Sequence, residues 1–161
     1  MIHLMNLTLA LTIPITLGAL CGTISERGGI IMLGVEGMML MGAFSAVLGS
    51  YVTGSAIIGV LFAMLVGGLL GFLYCLFCLK FKAHQSVIGV GLNLFASGIT
   101  KVLLKAIWGQ EGMSTFVDTI GKVNLPLLKS IPVIGPIFFD QSPFLYLTLV
   151  IVAAVWFVFY R

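Results

Sequence analysis

Along most of this chain apolar residues follow one another without the alternation of a half-buried strand or the three-to-four-residue spacing of a surface helix. Short polar clusters cut the apolar run into segments of roughly 20 residues, the length an α-helix needs to cross about 30 Å of hydrocarbon. The pattern predicts an all-α integral membrane protein, a single transmembrane domain over 1–161, with about five spans at 6–24, 28–50, 56–79, 85–104 and 143–160. The first span is uncharged, contains Pro14 and ends in Ser25-Glu26-Arg27. The second is interrupted by Gly28, Gly29, Gly34, Gly37 and Gly42 and holds Glu36 near its middle. The third is the longest, carries Gly67, Gly68 and Gly71, and is closed by Lys80-Phe81-Lys82. The fourth, again Gly-interrupted, carries Gly89, Gly91 and Gly98 with the mid-span polar residues Asn93 and Ser97. A mixed polar stretch over about 105–142 reads as one long loop, with residues 131–139 apolar enough to dip to the interface.

An uncharged helix, a charged turn and a Gly-interrupted helix with a polar group inside occur twice, over 6–50 and 56–105. Gly-interrupted segments in corresponding positions of two repeats are a pointer to a transporter's pathway. Basic residues concentrate at cytoplasmic span ends. Lys80, Lys82 and Arg161 stand tight against span ends two crossings apart, so all three are expected in the cytoplasm together with Arg27, with the long loop extracytoplasmic. Lys101, Lys105, Lys122 and Lys129 then fall at or beyond the outer face, against the rule. The amino terminus lacks the basic region of a cleaved signal peptide, so the first apolar stretch reads as a retained span.

Composition sharpens the picture. Sixty per cent of the residues are hydrophobic and eight per cent are charged, against about a quarter charged in a soluble domain. Too few charges remain to cover a water-soluble globule, so lipid is the natural solvent. The net charge of +3 is small and scattered, which excludes a nucleic-acid surface. Cys21, Cys75 and Cys78 lie in apolar runs, and the Cys75–Cys78 pair has no His or carboxylate in its span, so the three read as packing residues. No metal-ligand spacing is present, and neither Gly-x-x-x-x-Gly-Lys-Ser/Thr nor Gly-x-Gly-x-x-Gly occurs. The chain is expected to bind no cofactor, to be no enzyme, and to leave any ATP hydrolysis to a separate subunit.

Glu36 is the most informative residue. A charge near a span centre costs about 2.5–3.5 kcal/mol on insertion scales, and such groups face protein or a water-filled cavity. Gly34 and Gly37 beside it allow the helix to break or another backbone to approach. Lining a solute pathway and clamping a neighbouring helix are both open readings. Asn93 and Ser97 share one helical face and carry the same two alternatives. Glu26 and Arg27, adjacent in a turn, read as structural or interface charges. His84-Gln85-Ser86 opens the fourth span as polar interface residues, since His84 and Ser86 lack an acid and the geometry of a nucleophile and base.

The stretch from Ser25 to Met39, Ser-Glu-Arg-Gly-Gly-Ile-Ile-Met-Leu-Gly-Val-Glu-Gly-Met-Met, closely resembles a signature of ABC-importer permease subunits. These belong to the branched-chain amino acid, simple sugar and nucleoside group, and the form here is most similar to the nucleoside branch. A second stretch, Ala83 to Leu94, resembles that family's second Gly-containing segment and brings Gln85 into the motif. Met32 in the first stretch and His84 and Ile88 in the second depart from the family pattern, standing where polar residues are usual. Family members are about twice this length, and the expectation is a truncated or split N-terminal half. The resemblance implies a plasma-membrane importer for a small polar solute, nucleoside or sugar-like, working by alternating access. Its partners would be cytoplasmic ATPase subunits, a second permease subunit and an extracytoplasmic solute-binding protein. The pathway candidates are Glu36, Gly34, Gly37, Asn93, Ser97 and Gln85. The residues by themselves leave two competing classes: a small self-assembling channel or proton-coupled carrier using Glu36, and an assembly subunit with no path.

Overall fold

The computed structural model describes residues 2–109 and 143–160, with side chains over 7–109 and 144–159. The expected loop from residue 110 to 142, and Arg161, lie outside the described residues. Five helices follow one another: α1 (Ile2–Arg27), α2 (Val35–Thr53), α3 (Ala56–Leu79), α4 (Gln85–Trp108) and α5 (Pro143–Tyr160). Among the described residues no strand occurs. Leu7–Arg27, Val35–Thr53, Ala56–Leu79 and Gln85–Trp108 are long and apolar enough to cross a membrane, and Phe144–Phe159 is a shorter apolar helix. The fold is that of an all-α integral membrane protein.

Helix ends follow from local chemistry. α1 remains helical through Ser25-Glu26-Arg27 and stops at Gly29, whose φ of 81° needs no Cβ. The Gly29 amide donates to the Glu26 carbonyl at 3.0 Å and the Ile30 amide to the Ser25 carbonyl at 3.1 Å, the paired bonds of a Schellman end. The span expected over 28–50 is therefore shifted. Residues 28–34 leave the helix, and α2 starts at Val35 and runs to Thr53, where Gly54 at φ 66° closes it on the Ser50 carbonyl. α4 continues past the expected 104 to Trp108, ending at Gly109 with φ 69°. Its glycines do not break it; they lie in continuous helix.

The chain divides into two compact units, Cys21–Thr119 and Met1–Leu20 with Ile120–Arg161. In the first, α2 and α3 form a tight antiparallel hairpin. A Cβ on Gly59 would fall 2.5 Å from the Ala46 carbonyl oxygen, and one on Gly49 would fall 3.1 Å from the Gly59 Cα, so only glycines permit this approach. α4 runs in the same direction as α2. Asn93 meets Gly37, the Thr100 hydroxyl lies 3.3 Å from the Met41 sulfur, and Trp108 packs edge-on against Phe44 and Tyr51. Few large side chains are buried. Tyr74 is 1% exposed, whereas Ile57, Leu65 and Val87 on the outer faces are each 70% exposed. Such a surface is unfavourable in water and suits hydrocarbon. In the second unit, the Thr12 and Thr16 hydroxyls of α1 return to carbonyls four residues back, and Thr148 of α5 does the same, keeping these polar groups satisfied inside apolar helices.

Candidate functional site

The non-helical segment 28–34 is a strap between α1 and α2, and three side chains fasten it. The Gln85 side-chain amide accepts from the Ile31 N–H at 2.9 Å and donates to the Gly29 carbonyl at 3.5 Å. Asn93, two turns further along α4, accepts from the Gly37 N–H at 2.8 Å and donates to the Leu33 carbonyl at 3.2 Å. The Tyr74 hydroxyl of α3 lies 2.8 Å from the Ile31 carbonyl and 3.2 Å from the Gln85 carbonyl, so its one proton ties strap and α4 together.

Asn93 performs a capping task from another helix. The first amides of an α-helix lack intrahelical acceptors, and the residue before the helix normally supplies one. In α2 that residue is Gly34, which has no side chain to do so. The Asn93 carbonyl oxygen takes the place, on the N–H of the third helical residue, Gly37.

Glycines make the fit possible. A Cβ on Gly37 would lie 2.9 Å from the Asn93 side-chain oxygen and 3.0 Å from both the Asn93 Cα and the Leu92 carbonyl oxygen. One on Gly89 would meet the Leu33 Cβ at 2.7 Å, and one on Gly34 would meet Leu92 at 2.9 Å. The strap thus lies directly on the α4 backbone. On its other side the contacts are soft: the Met32 sulfur is 3.3 Å from the Ser25 hydroxyl and 3.6 Å from the Cys21 thiol.

Glu36 stands in the first turn of α2, exposed. There its charge complements the positive end of the helix dipole. Its neighbour Gly37 is fixed to Asn93, eight residues into α4, which places this level about 12 Å from the start of a helix about 36 Å long at 1.5 Å per residue. Among the described residues its carboxylate has no hydrogen bond or ion pair; the Leu33 N–H points to the Tyr74 hydroxyl, and the amides of Met32, Gly34, Val35 and Glu36 have no close acceptor. A run of open backbone donors and a carboxylate therefore share one short stretch.

Sequence reasoning named Gly34, Glu36, Gly37, Gln85 and Asn93, and the structure brings all five to the strap. Ser97 is not at the strap; its hydroxyl bonds the Leu94 carbonyl of its own helix at 3.0 Å. Glu26 and Arg27 lie exposed in the last turn of α1. Tyr74, Gly89 and Gly29 were missed. Tyr74 carries the one hydroxyl in α3, a signal readable from the sequence. Gly89 and Gly29 resembled the other glycines until their neighbours were known. Among the described residues no three His, Cys, Asp or Glu side chains gather at metal-binding distance. The three cysteines form no disulfide; Cys78 is buried, Cys75 is half-buried, and Cys21 is exposed with its thiol 3.6 Å from the Met32 sulfur.

Comparison with known proteins places the chain among transporter permeases by sequence. A guanosine ABC transporter permease protein of Bacillus subtilis, NupQ, is 32% identical over 161 residues, covering 96% of this chain and 50% of that protein. A nucleoside ABC transporter permease protein of Lactococcus lactis, NupC, is 35% identical over 155 residues, covering 92% and 49%. A Haloferax volcanii ABC transporter permease protein with glucose in its name, TsgC13, is 34% identical over 158 residues, covering 98% and 48%. The chain spans about half the length of the curated relatives it matches. No solved structure matches it. The family model described as the permease component of the branched-chain amino acid transport system matches residues 4–161, and the chain belongs to that family.

Proposed function

We propose that this chain is a permease component of an ATP-driven importer for a nucleoside or similar small polar solute, and that the strap with the first turn of α2 lines the route. One observation carries the reading: the amides of Met32, Gly34, Val35 and Glu36 without close acceptors, beside the Glu36 carboxylate, about 12 Å along a membrane-length helix. Irregular backbone at such depth is stable only against protein or a water-filled cavity. A route for a polar solute supplies that setting. Glu36 would accept hydrogen bonds from solute hydroxyls and the open amides would donate to solute oxygens. Gly34, Gly37 and Asn93 would build the wall, and Gln85 would flank it nearer the helix end.

The partners in this reading are cytoplasmic ATPase subunits, a second permease subunit and an extracytoplasmic solute-binding protein, assembled in the plasma membrane. Arg27 lies two residues before Gly29, and Lys80 and Lys82 lie within five residues of Gln85. The bond from Gln85 to Gly29 brings these cations to one end of their unit, which supports a common cytoplasmic side.

The test is nucleoside uptake into proteoliposomes holding the chain with those partners. Uptake should require ATP and fall at least tenfold in Glu36→Gln, with assembly unchanged. Flux through the chain alone, without ATPase, would instead establish the self-sufficient channel or carrier.

A further inference from the structure

The two amide clamps on the strap differ. Asn93 is built in: its bond to Gly37 is 2.8 Å, Gly37 is buried, and that glycine has no room for a Cβ. Gln85 holds the strap more loosely, with its donating arm at 3.5 Å and both of its bonds on the exposed side. A long side chain also loses more rotamer freedom when fixed. The strap does not depend on it for register, because the Tyr74 hydroxyl joins the Ile31 and Gln85 carbonyls. If the Gln85 side chain swings away, the Ile31 N–H and Gly29 C=O remain as a preformed donor and acceptor pair. What they receive from Gln85 is an N–H beside a C=O on one planar carbon.

We infer that the Gly29 carbonyl and Ile31 amide form a subsite for the cis N–H/C=O edge of a lactam, as in pyrimidine and oxopurine bases, and that the Gln85 side chain occupies it as an intramolecular stand-in. The inference rests on the proposed permease reading and names the group of the solute that meets the strap nearest the start of α4. A ring lactam presents its donor and acceptor rigidly, so it gives up less freedom than Gln85 on binding and can displace it. Residue 85 then tunes affinity: a competitor occupying a site lowers apparent affinity by the fraction of time it is there.

Uridine and N3-methyluridine separate this from other roles, since the methyl removes the lactam N–H and leaves the ribose intact. The full chain in lipid nanodiscs is titrated with each. Gln85→Ala and Gln85→Leu should bind uridine about fivefold more tightly than the unaltered chain, the factor expected from removing a weak competing hydrogen-bond pair. N3-methyluridine should bind at least tenfold more weakly than uridine in both variants. Two variants with unchanged helical circular dichroism guard against misfolding. Weaker uridine binding in both, equal binding of the two nucleosides, or no uridine binding to any of the three proteins overturns the inference. That failure is distinct from failure of the permease reading, which the Glu36-dependent, ATP-driven uptake assay decides by itself.

Discussion

Replacing Gly37 by alanine inserts one methyl group where α2 and α4 meet. The new Cβ would stand 2.9 Å from the Asn93 side-chain oxygen and 3.0 Å from the Asn93 Cα and the Leu92 carbonyl oxygen. Two of these three neighbours are α4 main chain, so no side-chain rotation relieves the overlap and the helices must part by several tenths of an ångström. The cap bond from Gly37 to Asn93, now 2.8 Å, lengthens with them. Overpacking of this kind costs about 1–3 kcal/mol, set against about 1 kcal/mol gained from alanine's better helix propensity. The expected net loss is about 0–2 kcal/mol. Gly68 in α3 is the matched control, since a Cβ there meets nothing within 4 Å. Gly68→Ala keeps the propensity gain without the overlap, so the two variants should differ by the overpacking cost alone, about 1–3 kcal/mol. SDS-driven unfolding in mixed micelles, followed by circular dichroism, measures the difference. A gap below about 0.5 kcal/mol, the scatter of inconsequential surface substitutions, refutes the close approach of α2 to α4 at Gly37.

Three further outcomes follow from the strap. Asn93→Ala strands the Gly37 N–H and Leu33 C=O and should cost about 1–3 kcal/mol; Asn93→Asp keeps the acceptor at a helix N-terminus and should retain the protection of the Gly37 amide in hydrogen exchange that alanine loses. Gly29→Ala forces a side chain into φ 81°, at about 1–2 kcal/mol, and should speed exchange at the Ile30 amide, which the Schellman end holds. Tyr74→Phe removes the tie between the Ile31 and Gln85 carbonyls at about 1 kcal/mol, seen as a lower unfolding midpoint with unchanged helix content.

The membrane class and the third helix were legible in the sequence because they rest on composition; Glu36 and Asn93 stood out as polar groups inside apolar spans, Gly34 and Gly37 as the glycines beside Glu36, and Gln85 only through the resembled motif. Ala56–Leu79 matches its expected span because that run is uniformly apolar with polar residues at both ends. The second span was placed too early because hydropathy sums over Gly28–Gly34 as readily as over helix, while a Schellman end depends on one glycine adopting positive φ. Pattern also could not divide the labour between Asn93 and Ser97, which share a helical face. Only the neighbouring backbone decides it: Asn93 faces an uncapped helix start, and Ser97 faces its own carbonyls. Tyr74 escaped notice because a tyrosine in an apolar helix ordinarily reads as bulk, and its role depends on two carbonyls brought to it from elsewhere in the chain.

The proposed route requires Glu36 to lie at membrane depth yet face water. The direct measurement is thiol accessibility of Glu36→Cys in the assembled importer, with Cys21, Cys75 and Cys78 replaced by serine or alanine. The expected result is rapid reaction with a water-soluble, membrane-impermeant reagent, slowed by nucleoside, and no broadening of a spin label on that thiol by lipid-borne relaxation agents. A thiol that ignores the water-soluble reagent while its label senses the lipid would place Glu36 against the acyl chains and rule out the polar route.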